Sequence, residues 1–231
     1  PEDGHADLRY VLQAAEDIAD GLQDYTVVVT KSTVPVGTGR KVAKVIRARN
    51  PQAEFDIASN PEFLREGSAV EDFMQPDRVV VGVESTRARE VMERLYRPLT
   101  QQQDTPLLFT GIESAEVIKY AANSFLATKI AFINEMADFC EAAGGDIEEV
   151  SRGMGMDARI GHRFLQAGPG YGGACFPKDT SALACMAEES GSMLSIVNAA
   201  IAANRTRKES MAGRIAAAMG CILRCKVCVS H

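Results

Sequence analysis

The sequence predicts an α/β chain in two parts, a mainly parallel, doubly wound sheet over residues 1–110 and an all-helical region over residues 111–219. Three observations carry this. β-Branched runs alternate with segments of helical periodicity as far as residue 110. A proline-free stretch rich in Ala, Ile, Phe and Leu then runs from Ile112 to Ala143. No strand-like run follows it before residue 220.

Taken in order, the first periodic segment is a helix with no strand ahead of it. "YTVVVTKSTVPVG" is a β-branched run closed by Pro35 and Gly37, and "TGRKVAKVIRARN" carries apolar residues at helical spacing. "FDIASNPEFL", "RVVVGV", the helix-like "TRAREVMERLYRPL" and "TPLLFTG" continue the alternation that parallel sheets show. The long apolar helix stops at Gly144-Gly145, as a glycine cap would stop it, and its composition suits a central spine or a subunit interface. Asp146 can cap "IEEVSRGMG", and "DTSALACMAEES" and "MLSIVNAAIAANRTRKESMAGRIAAAM" return to helix. "CILRCKVCVSH" reads as the start of another strand, so residues 220–231 are expected to open a third domain. With no strand before the first helix and no partner for the last strand, the chain is expected to be a fragment.

Composition narrows the function classes. A hydrophobic share of 46%, a charged share of 24% and 231 residues are ordinary for a globular chain. A net charge of −6 with no long basic run argues against a nucleic-acid partner. No window approaches the roughly 18 apolar residues of a membrane span, and "PEDGHADLRY" lacks the pattern of a secretory leader. The expectation is a soluble, cytoplasmic protein with no membrane partner. The six cysteines fit reduced thiols better than a disulfide framework. Cys221, Cys225 and Cys228 crowd together with only His231 nearby, and no metal is expected.

Gly168, Gly170 and Gly173 in "AGPGYGGACFPKD" spell G-x-G-x-x-G, the spacing of a dinucleotide-binding turn. The context for that reading is missing. No strand feeds the glycines, Pro177 interrupts the segment just after them, and no carboxylate stands about 20 residues on. The loop instead draws attention to Cys175, with Lys178 and Asp179 after it. A thiol beside a cation and a carboxylate suits covalent catalysis, and a buried cysteine in a tight turn is the alternative.

Lys119 and Asn123 stand one helical turn apart and could donate to one oxyanion, although a solvated lysine with an incidental asparagine gives the same spacing. Glu62 and Glu66 share that spacing if "NPEFLREG" turns helical after Pro61, and a solvated acidic face is the alternative. Thr33 follows a parallel strand, where open α/β sheets bind ligands, and could equally cap the next turn. Arg159 and His162 could offer cations to a phosphate, with surface charge the plainer reading for the histidine.

In this order, "KSTVPVG", "NPEFLREG", "KYAANSFLATKIAFINE" and "GPGYGGACFPKD" resemble the nucleotide-sugar dehydrogenases of the UDP-glucose/GDP-mannose dehydrogenase family. The resemblance implies a Rossmann-like NAD-binding domain, a central helical domain that builds a homodimer, and a second, UDP-binding Rossmann-like domain. It implies a four-electron oxidation of a UDP-sugar by NAD through a cysteine thiohemiacetal and thioester, giving UDP-glucuronate from UDP-glucose.

By motif, Cys175 resembles the nucleophile, Lys119 and Asn123 the oxyanion and proton-handling pair, and Asp179 the carboxylate supporting Lys119 and the catalytic water. Thr33, Glu66 and, less closely, Glu62 match positions that hold that water. Phe63, Leu64, Gly172 and Gly173 look like substrate contacts, as do Lys119 and Asn123. Arg159 is similar to the arginine that reaches a neighbouring subunit's sugar nucleotide. Lys178 matches a cofactor-side lysine, and Thr33 and Glu66 also border the cofactor. "GYGG" and Phe176-Pro177-Lys178-Asp179 favour UDP-glucose over GDP-mannose or UDP-N-acetylmannosamine. The family's own glycine turn is absent from this sequence, so the chain alone is expected to be inactive or nearly so, and the alternative is a fragment that only dimerises.

Overall fold

A computed structural model describes residues 7–65 and 67–219. The expected strand and cysteine cluster at 220–231 and the candidate Glu66 lie outside the described residues. The chain divides into two compact units, one ending at Tyr120 and the other starting at Ala121.

In the first unit, four strands form one sheet in the order β1-β2-β3-β4: Thr26–Thr30, Phe55–Ser59, Val79–Gly82 and Leu107–Thr110. β1 pairs in parallel with β2, from Thr26 opposite Phe55 to Thr30 opposite Ser59, and β3 pairs in parallel with β4. The sheet is therefore mainly parallel, but β2 and β3 meet antiparallel, with Ser59 opposite Gly82. The cause lies in the connection. A parallel return needs a crossover long enough to run back over the sheet. Between β2 and β3 the chain forms only the six-residue helix α3, Ala69–Met74, which buries none of its residues. The connection thus stays at the carboxyl end of β2.

The strands alternate faces, as the pleat requires. On one face Val28 and Ile57 join Ala15 and Ala19 of α1 (Arg9–Gly21) and Val42 and Ile46 of α2 (Thr38–Arg49). On the other, Ala58, Val79 and Val81 pack with Met92 and Tyr96 of α4 (Thr86–Gln103). Each pair of helical residues is four apart, which puts both on one stripe. The Ser85 hydroxyl caps α4 by accepting the Ala88 N–H at 3.0 Å. This helix continues past Pro98, beyond the end its sequence suggests.

The helix α5, Ile112–Ala143, is unbroken and has the expected extent. Ile112 belongs to the first core, while Ala127, Ala131 and Ala137 are buried farther along. Gly144 ends it at φ +77, and the Gly145 N–H reaches back to the Cys140 carbonyl at 2.9 Å. In the second unit follow α6 (Ile147–Gly155), whose Asp146 cap accepts the Glu148 N–H as expected, α7 (Phe176–Glu189) and α8 (Ser195–Ala218). Two sequence expectations need correction. Pro177 does not interrupt its segment, because α7 starts at Phe176 and proline is tolerated in a first helical turn whose N–H groups have no helical acceptor. Residues 61–65 contain no helix. There the Glu62 carboxylate accepts the Leu64 N–H at 2.6 Å, a local bond that competes with helix formation.

At Gly82 the last residue of β3 meets α5. An added Cβ would lie 2.7 Å from the Ala115 Cβ and from the Gly111 carbonyl oxygen, neither of which is a flexible chain end. Gly82→Ala should destabilise the protein by about 1–3 kcal/mol through overpacking. Urea unfolding of the two proteins checks this, and an unchanged midpoint would contradict the packing.

Candidate active site

Two loops leave the same edge of the sheet, because β1 and β2 run parallel. Residues 31–37 follow β1 and carry Thr33. Residues 60–65 follow β2 and carry Glu62, Phe63 and Leu64. The edge at the carboxyl ends of parallel strands is where open α/β sheets bind ligands.

Asn60 pins this edge. Its N–H donates to the Thr30 carbonyl at 2.9 Å, its amide nitrogen donates to the Val80 carbonyl at 2.8 Å, and its amide oxygen accepts from the Lys31 amine at 2.7 Å and from the Tyr96 hydroxyl. Asn60 is 1% exposed, so these bonds form away from water, where a lost partner is expensive.

Glu116 on α5 holds the other loop. Its two carboxylate oxygens accept the N–H groups of Gly37 at 2.6 Å and Gly39 at 2.9 Å. These are the open donors at the start of α2, which has no side-chain cap of its own. Burial pushes the Glu116 carboxyl above the usual carboxylate range, against the two N–H groups that favour its charge.

One turn farther along α5, Lys119 is 4% exposed. The solvated-lysine reading is thereby excluded. Its amine lies 3.4 Å from a Glu62 oxygen and 5.5 Å from the centre of the Phe63 ring, whose face the Arg78 guanidinium also covers at 3.8 Å. Glu62 is thus engaged with a buried cation and is not a free acidic face. Thr33 and Leu64 are half-buried in their loops.

In the second unit, the Asn123 amide donates to the Asp179 carboxylate at 2.6 Å, with both residues buried. The second Asp179 oxygen has no hydrogen-bond partner, and the exposed Lys178 amine stands 3.6 Å from it. Cys175 is the residue from which α7 starts, and the Asp179 N–H donates to its carbonyl at 2.8 Å, one helical turn on. Cys175 is exposed, which rules out a buried structural thiol. Gly172 and Gly173 next to it are exposed as well.

Arg159 projects into solvent with its side chain 88% exposed and forks onto Asp157, and His162 is exposed too. Among the described residues, no group of three His, Cys, Asp or Glu could hold a metal ion, and no helix is long and apolar enough to cross a membrane.

Asn60, Glu116, Asn134, Asn204 and Arg207 are buried polar residues that the sequence reading passed over. For Glu116 a signal was available, since it lies three positions before Lys119 and so on the same helical face. Asn60 carried none, because its partners lie 20 to 36 residues away in sequence.

The family models for the UDP-glucose/GDP-mannose dehydrogenase family match this chain twice, the NAD binding domain at residues 1–100 and the central domain at residues 113–206. UDP-glucose 6-dehydrogenase of Rhizobium meliloti is 56% identical over 220 residues, which is 94% of this chain and 50% of that protein. The Pseudomonas aeruginosa protein of the same name is 51% identical, over 90% of this chain and 47% of that protein. The solved structure of a UDP-glucose dehydrogenase from Pyrobaculum islandicum superposes with a TM-score of 0.89 at 40% identity, covering 95% of this chain and 51% of the other. The chain thus spans about half the length of these relatives.

Glu116→Gln removes the titrating group and keeps its shape. A carboxyl raised in the folded state adds stability that is fully present below its ordinary value of 4.5 and is lost as pH rises through the raised value. The glutamine variant lacks that loss. Urea midpoints taken from about pH 4 to 8 should shift in the variant's favour as pH rises. A wild-type advantage that grew with pH would show that the two N–H groups outweigh burial.

Proposed function

Because the chain belongs to the UDP-glucose/GDP-mannose dehydrogenase family, we propose that its residues serve the NAD-dependent oxidation of the sugar C6 alcohol of UDP-glucose to the carboxylate of UDP-glucuronate. One observation carries the assignment of chemistry. A buried aspartate holds an asparagine amide with one oxygen, while its other oxygen makes no hydrogen bond and faces the Lys178 amine, one helical turn after an exposed cysteine. The choice of UDP-glucose over related nucleotide sugars rests on the names of the relatives and on the residues around Cys175.

The alcohol and one water lose two hydrides and three protons to become the carboxylate. NAD, when bound, accepts each hydride. In the proposed sequence the first hydride leaves C6 and the hydroxyl proton leaves the oxygen, giving the aldehyde. The Cys175 sulfur then bonds to C6, and its proton passes to the oxygen, forming a thiohemiacetal. Loss of the second hydride from C6 and of the proton from the hydroxyl oxygen leaves a thioester. Water adds to C6, the C–S bond breaks, and the proton returns to sulfur.

Lys119 and the second N–H of Asn123 donate to the oxygen that becomes negative in these steps. Asp179 fixes that amide and takes a proton from the attacking water with the oxygen that holds no hydrogen bond. Glu62 keeps the Lys119 ammonium oriented, and Thr33, with Glu66, holds the water. Phe63, Leu64, Gly172 and Gly173 shape the sugar site, and Arg159 reaches the nucleotide of a neighbouring subunit.

The fit of the cofactor divides along the molecule. The strand-end loop with Thr33 suits the reactive end, and the motifs give Lys178 and Glu66 cofactor-side roles. The N–H groups that start α2 are taken by Glu116, so they do not cradle the pyrophosphate.

The homodimer through α5 is part of the same reading. Phe125, Phe132 and Phe139 are 67%, 43% and 65% exposed and recur every seven residues, the spacing of a helix seam. In the full natural protein, Phe132→Glu should convert a dimer to monomer at micromolar concentration in sedimentation velocity. A wild type already monomeric there would end the dimer proposal.

Cys175→Ser tests the chemistry. Serine keeps the size but is a poorer nucleophile near neutral pH, and its ester hydrolyses less readily than a thioester. Acid formation should fall by about 10³-fold or more, with any stalled sugar adduct visible as added mass on the peptide carrying residue 175. Acid released at the wild-type rate with no adduct would make Cys175 a bystander.

A further inference from the structure

The segment from 166 to 175 contains no helix or strand, so its backbone polar groups need partners from elsewhere. At two residues, side chains from α5 and α8 supply all of them. Asn134 on α5 accepts the Gly168 N–H at 2.8 Å, and the Arg207 Nε donates to the Gly168 carbonyl at 2.9 Å. Asn204, one turn before Arg207 on α8, accepts the Tyr171 N–H at 2.7 Å and donates to the Tyr171 carbonyl at 3.0 Å. The three side chains belong to residues no more than 9% exposed. The remaining arm of Arg207 pairs with Asp138, one turn after Asn134 on α5. Gly170, at φ +115, lets the loop approach, since a Cβ there would lie 2.7 Å from the Asn204 amide oxygen.

The grip continues into α7. The Tyr171 ring meets the Phe176 ring edge-on at 6.1 Å, and the Thr180 hydroxyl donates to the Phe176 carbonyl at 2.8 Å. Phe176 and Thr180 belong to the first turns of α7, the helix that starts from Cys175 and carries Asp179. We propose that Asn204 and Arg207 are positioning residues for Cys175: they fix Gly168 and Tyr171, Tyr171 fixes the start of α7, and that start aims the thiol. This rests on Cys175 being the nucleophile of the proposed reaction.

A misplaced thiol has a specific chemical consequence. The first hydride transfer needs no bond to sulfur, whereas capture of the aldehyde does. A loosened loop therefore lets aldehyde escape. Added hydroxylamine would trap it as an oxime, with the C=N bond forming and water leaving.

The test uses the full natural protein with UDP-glucose and NAD, at a temperature well below the melting point of each variant. Asn204→Ala should raise the hydrogen-exchange rate of the Gly168 and Tyr171 amides about tenfold or more, lower kcat about tenfold or more, and yield oxime where wild type yields none. The KM for NAD should stay within about twofold. Arg207→Lys keeps the charge facing Asp138 but loses the guanidinium fork, so it should show the same changes to a smaller degree, and it carries the test if Asn204→Ala does not fold.

Fast exchange combined with wild-type kcat and no oxime would make the clamp structural only and overturn the proposal. Unchanged exchange would overturn the clamp itself. If Cys175→Ala still formed acid, the nucleophile reading would fail instead, and the exchange rates of Asn204→Ala would still report on the clamp.

Discussion

Buried polar groups spaced along one unbroken helix constrain this protein more than any other feature. α5 buries Glu116, Lys119, Asn123 and Asn134, and a buried polar group without a partner costs about 1–3 kcal/mol. Each therefore draws another segment to itself. Glu116 takes the start of α2, Lys119 takes Glu62 from the β2 loop, Asn123 takes Asp179, and Asn134 takes the backbone of Gly168. Segments without regular structure gain a defined course because the helix demands their hydrogen bonds.

The exposed ion pairs contribute differently. Arg40 lies against Glu84 and Glu113, and Arg65 forks onto Asp72, with the arginine side chains half or more exposed. Pairs of this kind are worth about 0–1 kcal/mol each. Stability comes instead from the two apolar clusters that sandwich the sheet, one with α1 and α2 and one with α4. The buried polar contacts add specificity of placement, which the proposed chemistry needs and a purely apolar core cannot give.

The same logic separates exposed from buried candidates in the second unit. Cys175, Gly172 and Gly173 are open to solvent, while Asn123 and Asp179 are not. An exposed thiol can meet a substrate, and a dry carboxylate can hold an amide without competition from water. Asp179 Oδ1 is one of three buried side-chain polar atoms without a hydrogen bond among the described residues. The proposed reaction gives this oxygen a role, as the base toward the attacking water.

What the sequence by itself determined is what depends on neighbours along the chain. The extent of α5 was legible because helical periodicity and a glycine stop are local signals, as was the Asp146 cap. The sequence also marked Lys119 and Asn123, since residues one turn apart on a helix share a face whatever surrounds them, and it singled out Cys175 and Asp179 as a thiol and a carboxylate next to the glycine loop. Tertiary structure alone decided the antiparallel junction of β2 with β3 and the early start of α7. It alone also decided that Lys119 is dry and Cys175 wet. The clamp on the glycine loop belongs to the same class. Asn204 meets Tyr171 across 33 positions of sequence and Arg207 meets Gly168 across 39, separations at which no periodicity or turn preference links two residues and only the folded chain brings donor to acceptor.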